Sequence, residues 1–243
     1  VKIDDMGEAT LVAYDIYFAD YSPMHVAPDQ SILSTRYTSV YKTPLIADSV
    51  IVDPAKYFSG NVKKKNAEFD FDENGNIYFA GKTNITLLSA MDTTASYDTD
   101  AEWETGVSLQ TCKVHLGYVY TSDEKTIFRN QILDHSGDLG PIEILFAFEA
   151  SDSVSINSIA LSASGDVYVG CDVLGGTETY PMYKIENTDD TWAVASAVPF
   201  YPMAISAPVK RIVWGESEYL YYLSGVKIIR VNMSQNGAVY FGR

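Results

Sequence analysis

Basic residues are scarce in this chain: 17 Lys and Arg stand against 32 Asp and Glu, for a formal net charge of −15. A nucleic-acid backbone needs clustered Lys and Arg to neutralise its phosphates, so this balance argues against such a partner and against anionic lipid surfaces. It fits cations, basic proteins and neutral sugars. Histidine is scarcer still. His25, His115 and His135 are far apart and belong to no spaced motif, and there is no His-Glu-x-x-His, Cys-x-x-Cys, Gly-x-Ser-x-Gly or glycine-rich phosphate loop. Imidazole or thiolate metal sites are therefore not expected, while a Ser-His-Asp triad assembled by the fold stays open. No apolar run approaches the roughly 20 residues that span a bilayer, and no charged start leads into a signal-peptide core. The chain opens on Val1, which fits a processed protein or a piece of a longer one.

What is present is abundant strand chemistry. Hydrophobic residues make up 47% of 243 positions, enough for a large core, and there are 18 Tyr. Phe69-Asp70-Phe71-Asp72 alternates rings and carboxylates with the period of a half-buried strand. Glu73-Asn74-Gly75-Asn76 follows as a turn, because Asn and Gly tolerate positive φ and an Asx side chain can bond its own backbone. Ile77-Tyr78-Phe79 then resumes as strand. A second copy runs from Ile159 through Ser162-Ala163-Ser164-Gly165-Asp166 to Val169. The pattern Gly-x-aliphatic-Tyr recurs at Gly75 to Tyr78, Gly117 to Tyr120, Gly165 to Tyr168 and Gly237 to Tyr240, and Glu218 to Tyr221 fits with Glu in the glycine slot. Tyrosines 78, 120, 168 and 221 are spaced 42, 48 and 53 residues apart, about one four-stranded propeller blade.

Here the chain resembles β-propeller repeats of the NHL and SMP-30-like kind, whose blades carry an Asp-x-x-Gly-x-aliphatic-Tyr-aliphatic turn. The resemblance covers roughly residues 66 to 243 and speaks to fold more than to function. It implies an all-β, single-domain β-propeller over residues 1–243, with five blades expected and six the alternative. Residues 1–60 are the least regular part. Thr10 to Phe18, a hairpin within Ser31 to Lys42, and Ala47 to Asp53 read as strand, whereas Tyr21 to Asp29, with two prolines, reads as loop. Gly237 to Gly242 reads as a repeat that starts and stops, either closing the ring against the first blade or beginning another. Cys112 and Cys171 fall at similar depths in neighbouring repeats, so a disulfide and two buried thiols both stay open.

Asp70-x-Asp72-x-Asn74-Gly75-x-Ile77 matches the first eight positions of an EF-hand loop, which makes Asp70, Asp72 and Asn74 candidate calcium ligands. The twelfth position would be Gly81, where that loop needs a bidentate Glu. The propeller turn itself is the competing explanation. The SMP-30-like resemblance also implies a metal-dependent lactone or ester hydrolase with acidic and amide ligands in the channel. The ligand positions of that family find no residue-by-residue match here; the blade-core acids with a plausible position are Asp70, Asp72 and Asp166, and these sit in turns, so the motif does not carry over. Aromatic residues near loops, Trp103, Tyr180, Trp192, Tyr201 and Trp214, are the candidate binding residues, since ring faces bind sugars and anchor protein partners. The expectation is an extracytoplasmic module, secreted or on the cell surface, that recognises a protein or glycan. A channel hydrolase and a structural subunit of a surface assembly are the alternatives.

Overall fold

The structure is a computed structural model that describes residues 2–3, 9–10, 24–26, 32–36, 39–43, 55–59, 68–88, 101–149, 151–173, 182–188, 191–194, 209–215, 219–224, 227–233 and 237–240. Among these residues all regular structure is β, in five four-stranded antiparallel sheets and one two-stranded pair. The chain divides into two compact units, residues 1–106 with 134–138, and residues 107–133 with 139–243.

The first unit holds the pair β1 (Lys2–Ile3) and β2 (Ala9–Thr10) and two of the four-stranded sheets. One is built from β3 (Met24–Val26), β4 (Ile32–Arg36), β5 (Ser39–Thr43) and β6 (Ala55–Ser59) in sequence order. The other runs β7 (Phe69–Phe71), β8 (Ile77–Ala80), β9 (Asn84–Leu88) and β10 (Ala101–Glu104). The hairpin expected within 31–42 is β4–β5. One expectation is corrected here. The segment read as loop around Tyr21 to Asp29 contains β3, a three-residue strand on an edge of its sheet. The strand β6 begins just after Pro54, in a stretch for which no element was expected. Residues 11–18 and 47–53 lie outside the described residues.

Both β8 and β9 are buried along their whole length, so both faces of their sheet are covered. Phe69 stacks obliquely on Phe79 and edge-on to Phe71, and His25 of β3 packs against Phe69 with ring centroids 4.7 Å apart. Asn84-Ile85-Thr86 reads as a glycosylation sequon, but Asn84 sits in this buried strand and is only 1% exposed, which closes it to glycosylation in the folded chain.

In the second unit the three sheets repeat one scheme, each in sequence order. They are β11 (Thr111–His115), β12 (Tyr118–Ser122), β13 (Thr126–Ile132) and β14 (Leu139–Ala147); β15 (Val154–Leu161), β16 (Val167–Val173), β17 (Met182–Thr188) and β18 (Thr191–Val194); and β19 (Val209–Trp214), β20 (Tyr219–Ser224), β21 (Lys227–Asn232) and β22 (Gly237–Tyr240). The expectation for Gly237 to Tyr240 is corrected here: β22 pairs with β21 as the outermost strand of its own sheet, Ile229 opposite Tyr240. A glycine followed by small and aromatic strand formers suits an outer strand as well as a motif strand, so the short pattern did not discriminate.

Apolar faces join these sheets. Tyr120 and Ile127 pack with Ile156, Val167, Val169, Cys171 and Ile185 between the first two. Ala160, Tyr168 and Met182 pack with Val209, Ile212, Leu220 and Tyr222 between the second and third. Each fully buried side chain of this size contributes about 1.5–3 kcal/mol. Neither cysteine is in a disulfide; both are buried thiols, and burial pushes the Cys171 thiol well above its ordinary pKa.

Candidate functional site

The two turn motifs fold alike. In each, a residue before the turn exchanges backbone bonds across it, Asp72 with Asn76 and Gly75, and Ser162 with Asp166 and Gly165. The glycines sit at φ +84° and +90°, a conformation most other residues adopt only at a cost of about 1–2 kcal/mol. The acceptor before the turn differs. Asp72 Oδ1 accepts from the backbone N–H of Asn74 at 2.9 Å and of Asn76 at 2.8 Å, and Oδ2 accepts from Asn76 Nδ2 at 2.7 Å. The Tyr78 hydroxyl approaches the same oxygen at 3.4 Å. Ser162 Oγ accepts from the Asp166 N–H at 3.0 Å and pairs with Ser164 Oγ.

Of the calcium candidates, then, Asp72 faces donor hydrogens with both oxygens, which present positive charge where a cation would have to sit. Asp70 Oδ1 accepts from the Phe71 N–H and lies 3.5 Å from His25 Nδ1, and Asn74 is exposed. Among the described residues no three His, Cys, Asp or Glu side chains gather into a group sized for a metal ion.

The aromatic candidates separate. Tyr180 and Tyr201 lie outside the described residues. Trp103 is on β10, opposite Ile85, and Trp192 is on β18, opposite Asn187, both on the outermost strands of their sheets. Trp214, at the end of β19, is half-buried and stacks on Tyr168 of β16, ring centroids 5.3 Å apart and planes 25° apart.

Charge surrounds that stack. The motif tyrosine Tyr168 pairs across the sheet with Lys184 of β17. Lys184 Nζ lies 3.1 Å from Asp166 Oδ2 and 2.6 Å from Glu186 Oε1, and 5.9 Å from the Tyr168 ring centre. Asp166 is set by its turn, Glu186 stands two residues along β17 from Lys184 and so on the same face, and Trp214 comes from the neighbouring sheet. Burial pulls the Lys184 ammonium down, but hydrogen bonds to Glu186 and Asp166 outweigh it and hold its pKa above the ordinary lysine range. Burial pushes the Tyr168 phenol up to about 12, against the pull of Lys184. The cluster thus sets a protonated phenol and an ammonium beside Asp166, Glu186 and a stacked ring pair.

The sister sheets show what is particular here. Tyr120 pairs with Arg129, and Tyr221 with Arg230. Those guanidiniums lie over the rings of Tyr118 and Tyr219, at 4.8 and 4.5 Å from the centroids, and Arg129 also binds Glu143 at 2.8 Å. In the middle sheet Asp166 stands two residues before the motif tyrosine, where the other two carry a tyrosine. A carboxylate therefore replaces a ring face as the seat of the cation. Sequence reasoning singled out the tyrosines and missed these basic partners. A faint signal existed, because Arg follows the motif tyrosine by nine positions in two of the three sheets. The longer connection to Lys184 hides the third.

Alkaline titration tests this description. Unfolded, Tyr168 loses its proton near pH 10; folded, it holds it to about 12. The folded chain thus binds more protons between those values, and stability falls as the pH climbs through them. Tyr168→Phe removes this term and should reduce the stability loss between pH 10 and 12 by about 2 kcal/mol, read from urea unfolding at each pH. An unchanged slope would mean that Tyr168 titrates normally.

Comparison with protein-family models gives no match, and no curated protein is similar in sequence. Solved structures are similar in fold. The alpha-L-arabinanase of Penicillium chrysogenum superposes with a TM-score of 0.61 and 14% identity over 95% of this chain and 84% of the enzyme. A gluconolactonase of Xanthomonas campestris gives 0.58 and 12% over 86% of this chain and 71% of its own. The chain has a β-propeller fold. A third match is PorZ, a bacterial surface component of the type-IX secretion system of Porphyromonas gingivalis, with a TM-score of 0.56 and 13% identity over 90% of the propeller described here and 33% of PorZ. The propeller thus spans about a third of PorZ's length. At these identities the likeness is one of fold, and the SMP-30-like resemblance stands at that level.

Proposed function

We propose that this propeller is a binding module, each four-stranded sheet one of five blades, and that it works outside the cytoplasm, secreted or at the cell surface. Its partner is a protein or a glycan. The observation that carries this reading is the Tyr168–Trp214 stack set beside Lys184, Asp166 and Glu186, with Trp214 half-buried and Glu186 43% exposed on its side chain. Ring faces next to fixed polar groups are what recognition surfaces use. PorZ, a surface component of similar fold, supports the location. The hydrolase and structural-subunit readings have no comparable observation in their favour.

Arrays of glycans and of immobilised secreted proteins provide the test. At least one ligand should retain the wild-type chain, and Trp214→Leu should weaken that binding about tenfold, the scale of one buried aromatic anchor. Thermal unfolding of the variant serves as the folding control. Binding that is identical in wild type and a folded Trp214→Leu would remove this cluster from the function.

A further inference from the structure

Resting on that reading, we propose that the Tyr168–Trp214–Asp166–Lys184–Glu186 cluster takes a cationic side chain, lysine or arginine, from a basic segment of a partner protein. The charge balance points this way. Two carboxylates share one ammonium, so these three groups sum to one negative charge, whereas in the sister sheet the Arg129 guanidinium is matched by the Glu143 carboxylate. Two of the three hydrogens of the Lys184 ammonium are spent on Asp166 and Glu186, and Asp166 Oδ2 also accepts from Ser164 Oγ at 3.3 Å.

The rings favour the same ligand. Trp214 is half-buried and stacks on Tyr168 with nearly parallel planes at 5.3 Å, and the quadrupole of an aromatic face attracts a cation. Glu186, 43% exposed on its side chain, can meet an arriving ammonium or guanidinium without first leaving the interior, and Lys184 holds it in place beforehand. Beyond the cluster, a net charge of −15 steers basic partners toward the chain and repels anionic ones. A neutral sugar would gain the ring face but nothing from the excess charge.

The test uses the intact chain and the indole N–H resonance of Trp214, identified by its disappearance in Trp214→Phe. The probes are blocked tetraarginine, blocked tetralysine, blocked tetraglutamate and the neutral hexasaccharide cellohexaose. The two basic peptides should shift the Trp214 signal saturably, and added salt should weaken them. Glu186→Gln should weaken them about fivefold, the worth of one partly exposed charge pair. Glu143→Gln removes the same charge from the Arg129 pair and should leave the shift unchanged. Equal weakening by both variants would overturn the proposal, since binding would then follow net charge alone. A shift with cellohexaose and none with the basic peptides would overturn cation recognition and leave the site standing as a glycan site. No shift with any probe would overturn both.

Discussion

Asp72→Ala should destabilise the chain by about 3–4 kcal/mol in urea unfolding, more than any other single turn substitution. The carboxylate receives three close hydrogen bonds and the hydroxyl of Tyr78 at longer range. Asn76 and Tyr78 are both fully buried, so donors stripped of this acceptor have little access to water in its place. Bonds to a charged acceptor are worth about 1.5–3 kcal/mol each and do not add fully, which sets the total. The equivalent turn supplies the control. Ser162 offers one hydroxyl to one backbone N–H, and Ser162→Ala should cost only about 1 kcal/mol. Equal costs for the two variants would show that Asp72 is an ordinary turn residue.

Gly137→Ala is the second large effect, at about 3 kcal/mol. Gly137 stands at φ +93°, and an added Cβ would lie 2.7 Å from the Tyr78 hydroxyl and 3.1 Å from both Asn76 Nδ2 and Leu87 Cδ1. The segment cannot simply move aside. Its carbonyls accept further bonds from the same two residues, Asn76 Nδ2 to His135 O at 3.1 Å and Tyr78 Oη to Gly137 O at 3.0 Å. Backbone strain and crowding can be separated with Gly106→Ala. Gly106 has φ +75° and, among the described residues, nothing within 4 Å of the added carbon, so its cost should be strain alone, about 1 kcal/mol. A Gly137 variant no worse than the Gly106 variant would mean that the 134–138 segment is loosely held. Asp72 and Gly137 also share Asn76 and Tyr78, so the double variant should cost less than the two single ones summed.

Much of this was legible in the sequence, for a physical reason. The turns at Asp72 and Ser162 are local, and their chemistry is written in five consecutive residues that the backbone then obeys. Motif tyrosines came out in matching strands because a period of two fixes which side of a sheet they face. Short strands without that alternation escaped, as β3 between its prolines shows, and β22 was assigned to the wrong place because pairing partners are not encoded in four residues. The calcium reading of Asp70, Asp72 and Asn74 rested on spacing alone. Spacing cannot say whether a carboxylate faces a cation or its own backbone amides. The charged half of the candidate site was the least visible. Lys184 meets Tyr168 across a hairpin of variable length, and Trp214 arrives from another sheet, so neither contact leaves a fixed interval in the chain.

The first compact unit is not one continuous stretch of chain. It needs residues 134–138, whose carbonyls cap Asn76 and Tyr78, and these follow β13 in synthesis. A nascent chain that has emerged only to residue 106 therefore holds the side chains of Asn76 and Tyr78 without two of their acceptors, and completes that unit only after a further hairpin arm has left the ribosome. Proteolytic cleavage or premature termination between residues 106 and 134 should accordingly release an amino-terminal piece that is a substrate for chaperones, not an independent domain.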